Sequence, residues 1–338
     1  MSNLPPSTVV VTGASAGVGR AIAHRFARAG WTIGLIARDR HALEQAKREV
    51  EELGGTGMVF PLDVADAPAV FAAADDIVTR CGGIDVWIND AMVTVFSPVW
   101  KITPEEYRRV TEVTYLGYVH GTMAALRHMR SRNSGTIIQI GSALAYRGIP
   151  LQAAYCGAKY AIRGFTDALR TELIHEHSAI KLTMVELPAA NTPQFDWART
   201  HMARRPRPVA PVVQPEFIAD VVFSGAHNPN REYWLGLSTV KAILANMIWP
   251  TFLDRYLAKN VYSAQEQPIF VSPERRDNLM TPVTALHRTR GSFDDEARQR
   301  MIAVSGSIAR FVPVLTAMAA GLVVGFVVCS GGRDRRWD

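Results

Sequence analysis

Cysteine is scarce in this chain. Three occur in 338 residues, Cys81, Cys156 and Cys329, and no two stand at a metal-ligand or disulfide spacing. That excludes a disulfide scaffold and a zinc ribbon, and it suits a reducing compartment. Concentrated charge is missing as well. The net charge is +6, but Lys and Arg are scattered and no basic stripe carries interleaved aromatics, which excludes a nucleic-acid module. An anionic ligand or a membrane surface accounts for the excess. The opening Met1–Ser7 is polar and proline-bearing, so no secretory leader is expected.

What the chain does have begins with Thr8–Thr12, a β-branched run leading into GASAGVGR and an Ala-rich helix over about Val18–Ala29. A strand, a glycine turn and a helix N-terminus together form a pyrophosphate cradle. Gly13, Gly17 and Gly19 admit the phosphates close to the backbone, and the free N–H groups face them. The spacing is Gly-x-x-x-Gly-x-Gly, not the commoner Gly-x-Gly-x-x-Gly. A second strand, Trp31–Ala37, ends at Arg38, where an arginine accommodates a 2′-phosphate, so NADP(H) is expected. The alternative is a solvated arginine paired with Asp39.

Further strands are expected at Gly57–Leu62, Ile84–Ile88, Thr136–Ile140, Ile180–Leu187 and Glu232–Leu235. Helical patterns separate them, including one long pattern over Pro104–Met129 and another over Gln152–His175. This alternation predicts an α/β fold: a Rossmann-type, doubly wound parallel sheet of about seven strands, with helices on both faces.

Ser142 follows the apolar run Ile137–Gly141 and should sit at a strand tip, with Tyr155 thirteen residues on and Lys159 four beyond that. Helical spacing puts Tyr155 and Lys159 on one face. An unperturbed tyrosine titrates near ~10, and lowering that by about three units takes roughly 4 kcal/mol. One ammonium about 4 Å away supplies that order at an effective dielectric near ~20. Lys159 is therefore expected to lower the Tyr155 pKa, with Ser142 holding a substrate oxygen.

With these residues in place, Thr8–Gly236 resembles the short-chain dehydrogenases/reductases. TGASAGVG is similar to the family's cofactor loop, including Ser15 and Val18, and Leu62-Asp63-Val64 to its adenine contact. Ser142, Tyr155 and Lys159 match its catalytic serine, tyrosine and lysine. Asn89 opens the segment where the family reads Asn-Asn-Ala-Gly, and Pro188 with Asn191-Thr192 falls beside the expected nicotinamide. The resemblance implies reversible hydride transfer between NADP(H) and an alcohol or carbonyl, and it leaves a homo-oligomer open. Leu144, Tyr146, Phe195 and Trp197 favour an apolar substrate. The chain departs from the family pattern at Asp90, Met92, Thr114 and Ala189. Thr114 replaces an asparagine whose carbonyl holds a water beside the lysine. These departures support an alternative reading, a catalytically weak NADP(H)-binding protein that acts through a partner.

The expected organisation is a nucleotide-binding domain over 1–239, a helical and irregular extension over 240–307, a candidate transmembrane helix over 308–330 and a basic tail over 331–338. His201–Pro215 reads as an irregular lid, and Ala258–Gln299 as an irregular linker or wrapping arm. Val240–Leu257 suggests two short amphipathic helices that close the pocket or lie on a bilayer. Phe311–Cys329 is nineteen residues without a charge, within the ~17–25 that span hydrocarbon. Its ten Leu, Val and Phe residues contribute roughly −3 to −6 kcal/mol toward insertion. A membrane tether with the catalytic domain in the cytoplasm is expected, against a buried helix in a soluble protein.

Overall fold

The computed structural model describes residues 7–311. Seven parallel strands form the sheet: β1 Thr8–Thr12, β2 Thr32–Ala37, β3 Thr56–Pro61, β4 Val86–Asn89, β5 Thr136–Ile140, β6 Lys181–Glu186 and β7 Glu232–Leu235. An eighth, β8 Ala303–Ser305, pairs antiparallel with β7 and was not expected. The order is β8-β7-β6-β5-β4-β1-β2-β3, so the winding reverses between β1 and β4. A crevice opens there at the carboxyl ends of the strands, the usual place for a ligand in a doubly wound sheet.

The strands are apolar on both faces because helices cover both. In β1, Val9 and Val11 enter the core layer on one side and Val10 enters the other. The first layer packs α1 (Gly17–Ala27) against a later helix, Pro215–His227. Phe26 is fully buried in it and meets Phe223 edge-on at 4.9 Å. Truncating such a side chain to alanine costs about 3–5 kcal/mol.

Capping fixes the loops around the crevice. Asp39 accepts the Ala42 N–H at 3.0 Å and starts α2 (Arg40–Glu52), and Asp66 does the same for α3 (Ala67–Cys81). The single long helix expected over Pro104–Met129 is divided. A Thr103–Glu106 capping box opens α4 (Pro104–Thr111), a π-helical turn covers Glu112–Leu116, and α5 runs over Gly117–Arg132. Such turns recur at functional sites. The helix carrying Tyr155 and Lys159 is α6, Ala153–His175.

Beyond β7 lie α8 (Gly236–Ile248) and α9 (Pro250–Ala264), with α7 the Pro215–His227 helix named above. Helix continues to Ala264 and strand follows at Glu266–Phe270, so the expected irregular linker starts later than Ala258. The expected lid is more regular than its Pro and Arg content implied. Arg204–Pro206 pairs with Glu266–Phe270, and Val212–Val213 pairs with both Ala189–Ala190 and Ala297–Arg298. Helix resumes at Gly306, where Ala309 is buried against Ile243 of α8. Arg310 donates to the buried Glu232 at 2.7 Å, alongside Tyr146. Ala309 and Arg310, inside the segment expected to start a membrane span at 308, are therefore tied to the folded body, while Ile308 and Phe311 are exposed. The remainder of that segment lies outside the described residues. Among the described residues, no helix is long and apolar enough to cross a membrane.

Candidate active site

The crevice is a cavity of about 420 Å³. Gly13, Ser15, Gly17, Val18, Arg38, Asp63, Val64, Ser142, Tyr155, Lys159, Pro188 and Thr192 all line it. Two of the residues expected there do not. Gly19 lies behind the turn, where a Cβ would stand 2.5 Å from the Gly13 carbonyl oxygen. Asn89 is fully buried and turned inward. It accepts from Trp87 Nε1 at 2.8 Å and donates to Gln139 at 2.9 Å and Thr122 at 3.1 Å, tying β4 to β5 and α5. Its role in this structure is to brace the strand tip.

The turn itself fits a diphosphate. Gly17 has φ +59°, a conformation that favours glycine, and a Cβ there would meet Thr192 at 3.2 Å. The N-terminus of α1 begins at this residue, so its positive dipole end lies at the cavity, with the Gly17 N–H already donating to the Arg288 carbonyl at 3.0 Å.

At the other end of the site, Ser142 lies two residues past the end of β5, capping a short 3-10 turn, and accepts the Leu144 N–H at 3.1 Å. The i, i+4 spacing does bring Lys159 to Tyr155, with Nζ 5.5 Å from the ring centroid. Its hydrogen bonds go elsewhere. Nζ donates to the Ile140 carbonyl at 2.7 Å and to the Tyr118 hydroxyl at 3.0 Å, and Tyr118 in turn donates to Ile140 at 3.0 Å. Burial pushes the Tyr155 hydroxyl above its ordinary range; the Ser142 hydroxyl opposes this, while nearby acids add to it. Lys159 is not bonded to the Tyr155 hydroxyl in this arrangement. Desolvation of the phenolate outweighs an ammonium that is aimed at Tyr118 and is itself held down to about 8 by burial.

Two acids complete this end. Asp90, in place of the family's asparagine, is pushed up to about 7 by burial, with Lys159 and the Gly19 N–H opposing. Glu186 is fully buried at the end of β6. Neither of its carboxylate oxygens has a hydrogen-bond partner among the described residues. Burial and then the negative charge of Glu232 raise it to about 8, against the nearby Ser142 backbone N–H, Lys159 and Arg163. Thr114 sits within the π-helical turn, and its hydroxyl is committed to Val93, donating to the carbonyl at 2.7 Å and accepting the N–H at 3.0 Å. Met92 lines the cavity. Sequence reasoning missed Tyr118 and Glu186. Nothing distinguished Tyr118 from other aromatics on an amphipathic helix, but an acid inside the apolar run of β6 was a readable signal.

At the opposite end, Arg38 does not pair with Asp39. Its guanidinium donates to the carbonyls of Asn278, Leu279 (3.3 Å) and Met280 (3.1 Å). Asp63 accepts from Arg109 and from the Ala65 N–H. The later stretch 207–211 also faces the cavity, as do Phe195 and Trp197 and, from α8 and α9, Ala242, Leu257 and Val261.

The short chain dehydrogenase family model matches residues 7–202. An uncharacterized oxidoreductase of Bacillus subtilis, YxnA, is 27% identical over 325 residues, covering 96% of this chain and 90% of its own. Human dehydrogenase/reductase SDR family member 7 is 36% identical over 174 residues, 50% of this chain and 51% of that protein. Among solved structures, a metagenomic short-chain oxidoreductase in complex with NADP aligns with TM-score 0.56 and 27% identity, covering 67% of this chain and 92% of its own. An alcohol dehydrogenase from the archaeon Thermococcus sibiricus, complexed with 5-hydroxy-NADP, aligns with TM-score 0.58 and 26% identity over 68% and 95% of the two chains. With the reversed sheet, the glycine turn and the Ser-Tyr-Lys set on one crevice, the chain belongs to the short-chain dehydrogenase/reductase family, oxidoreductases of CH–OH and C=O groups.

Proposed function

We propose that this oxidoreductase uses NADP(H) and acts on an apolar alcohol or carbonyl, with Ser142, Tyr155 and Lys159 as its catalytic residues. The observation that carries this is their convergence, with the glycine turn, on one cavity whose remaining wall includes Leu144, Phe195, Trp197, Leu257 and Val261. The nicotinamide supplies or accepts the hydride when bound. Ser142 holds the substrate oxygen. Tyr155 keeps its proton at neutral pH because burial raises its pKa, which suits donation to a carbonyl oxygen. Lys159 stands beside the ring to stabilise the phenolate left behind. Arg38 at the end of β2 supports the choice of NADP(H).

The test is oxidation of NADPH against a panel of hydrophobic ketones. Turnover by the wild type that collapses in Tyr155→Phe supports the reading. Turnover that survives the substitution refutes it. A second reading, a cofactor-binding protein that acts through a partner, is favoured by Lys159 bonding to Tyr118 instead of the Tyr155 hydroxyl. It requires that wild type bind NADPH yet turn over no ketone in the panel.

We also propose a membrane tether through the segment that follows Phe311. The turn before it packs Ala309 against α8, and α8, α9 and the residue between them expose Met247, Ile248, Trp249, Phe252 and Tyr256, each at least half exposed. An apolar ridge of this kind beside an uncharged run of nineteen residues supports apposition to lipid. Deletion of 312–338 should release the protein to the soluble fraction with cofactor binding intact. Full-length protein that is soluble without detergent overturns the tether.

A further inference from the structure

Residues 272–298, beyond the 7–202 matched by the family model, run along the open side of the crevice from one end to the other. The Asn278 N–H donates to the Trp197 carbonyl at 3.0 Å, and the next carbonyls take the Arg38 guanidinium. Arg109 Nε donates to the Leu279 carbonyl at 3.2 Å. Further along, Arg20 donates to the His287 carbonyl, and the Gly17 N–H donates to the Arg288 carbonyl at 3.0 Å. Gly291 then lies against Thr192, its N–H donating to the Asn191 carbonyl at 3.1 Å, and the Phe293 N–H donates to Asn191 Oδ1 at 3.0 Å. The segment thus touches the tip of β2, the glycine turn and the loop after β6 in succession.

Its side chains also face inward. Asn278, Pro282, Val283 and His287 line the cavity opposite Ala37, Arg38, Asp39 and Asp63. The His287 side chain is 9% exposed, and beside the Val283 main chain and the Asp39 carboxylate its ring nitrogens make no well-aligned hydrogen bond among the described residues. Nε2 stands 3.4 Å from the Asp39 carboxylate without hydrogen-bond alignment. Asn278 is 8% exposed, and its Oδ1 is likewise without a partner among the described residues. Buried side-chain polar atoms without partners are uncommon in folded proteins because each costs the full desolvation of the group. Here they stand in one cavity, at the end where β2 presents its ribose-reading position.

We infer that residues 278–294 are part of the cofactor site: the arm closes over the bound dinucleotide, and His287 and Asn278 hydrogen-bond its adenosine half. The inference rests on the dinucleotide reading above. Asn278 Oδ1 is an acceptor suited to an exocyclic amino group, and the His287 ring suits a ribose hydroxyl or phosphate oxygen. Apolar Pro282 and Val283 between them suit the face of a base. The alternative occupant of this space is the arm alone, acting as a plug that the cofactor must displace.

The two are separated by sign. NADPH, NADH and 2′,5′-adenosine bisphosphate, which carries the adenosine half alone, are titrated against full-length wild type and the Asn278→Ala/His287→Ala pair. Tryptophan fluorescence reports binding, since Trp197 lines the same cavity. The pair is expected to lose tenfold or more in affinity for NADPH and for the bisphosphate, with an unchanged melting temperature of the free protein. Unchanged affinity makes the arm a bystander, and tighter binding makes it a plug; either overturns the inference. A wild type that binds neither NADPH nor NADH overturns it together with the dinucleotide reading. Hydrogen exchange on the wild type, which needs no variant to fold, should show amides of 278–294 gaining protection when NADPH is added. Loss of protection there, or no change, overturns the inference even with wild-type affinity intact.

Discussion

At the end of the crevice that holds Tyr155 and Lys159, the chain presents ionisable side chains from strand tips and one helix, with Lys159 and Glu186 buried and Tyr155 and Asp90 partly buried. At the end that holds Arg38, it presents main-chain carbonyls from a segment 240 residues downstream. The first end is governed by desolvation: Asp90, Glu186 and Lys159 are all pushed toward their neutral forms. At the second, Arg38 is bonded to carbonyls and Asp63 to Arg109. The same fold therefore tunes proton affinity at one end and builds a neutral grip at the other. The contrast teaches that charge alone does not say which end of such a cleft reads a phosphate.

The strongest way to break this comparison lies at the desolvated end. Tyr155→Phe should lower ketone reduction by about two to four orders of magnitude and leave NADPH affinity nearly unchanged, since the ring still packs and only the transferable proton is lost. Steady-state kinetics with parallel cofactor titration measures both. Lys159→Ala should impair both quantities.

Next in size is the buried pair outside the cleft. Arg310→Ala removes the closest cation from Glu232, whose side chain is 1% exposed and keeps Tyr146, Trp234 and Arg231, and should cost up to about 3 kcal/mol in urea unfolding. A truncation that begins at Gly306 removes Arg310 too, so a clean test of the terminal segment cuts after Phe311. A Glu232→Gln partner substitution should recover part of the loss.

The third prediction follows the sign of the Glu186 shift. Raised from 4.5 to about 8, this group binds a proton in the folded state that the unfolded chain releases. Its stabilisation is full below pH 4.5 and is lost as pH rises toward 8. Within that window each pH unit weighs about 1.4 kcal/mol at most. Glu186→Gln should therefore raise the melting temperature at pH 8.5 more than at pH 5. An equal shift at both values would show that Glu186 is ionised throughout, and that the desolvated end is wetter than its packing implies.

The smallest effect tests the neutral end. Arg38→Ala should reduce NADPH affinity by about tenfold and NADH affinity by less, the difference being the charge term for a 2′-phosphate near a protein surface. Equal losses for both cofactors would assign Arg38 to holding the arm alone.

The desolvated end was the more legible of the two in the sequence, because its signals are local. Ser142, Tyr155 and Lys159 sit at fixed offsets across one strand tip and one helix, and the glycine turn directly follows β1. The parallel sheet with helices on both faces followed from alternating β and α patterns. The direction of the Tyr155 shift was not legible, since it depends on what surrounds the ring and not on the spacing that brings Lys159 near. Asn89 was placed correctly along the chain but assigned the wrong facing, because a one-residue difference at a strand tip turns a side chain from cleft to core. The arm was the least legible part. Its contacts to Arg38, Arg20 and Gly17 are made by backbone carbonyls, which any residue supplies, so composition there reads only as a polar, proline-bearing stretch.

The short helix that begins at Gly306 is anchored to the folded body, with Ala309 buried and Arg310 clamped to Glu232. A domain leashed by a loose linker tumbles, and it meets surface-dissolved molecules at a concentration diluted over the whole volume that the linker sweeps. A domain whose last described turn is part of its core has no such slack. If the segment after Phe311 lies in a bilayer, as proposed above, the swept volume shrinks to a thin layer and the choice of facing narrows to a few orientations. Catalytic encounters then become a two-dimensional search across lipid. Under that regime the measured KM for a lipophilic ketone depends on its mole fraction in the membrane, not on its concentration in the bulk solution.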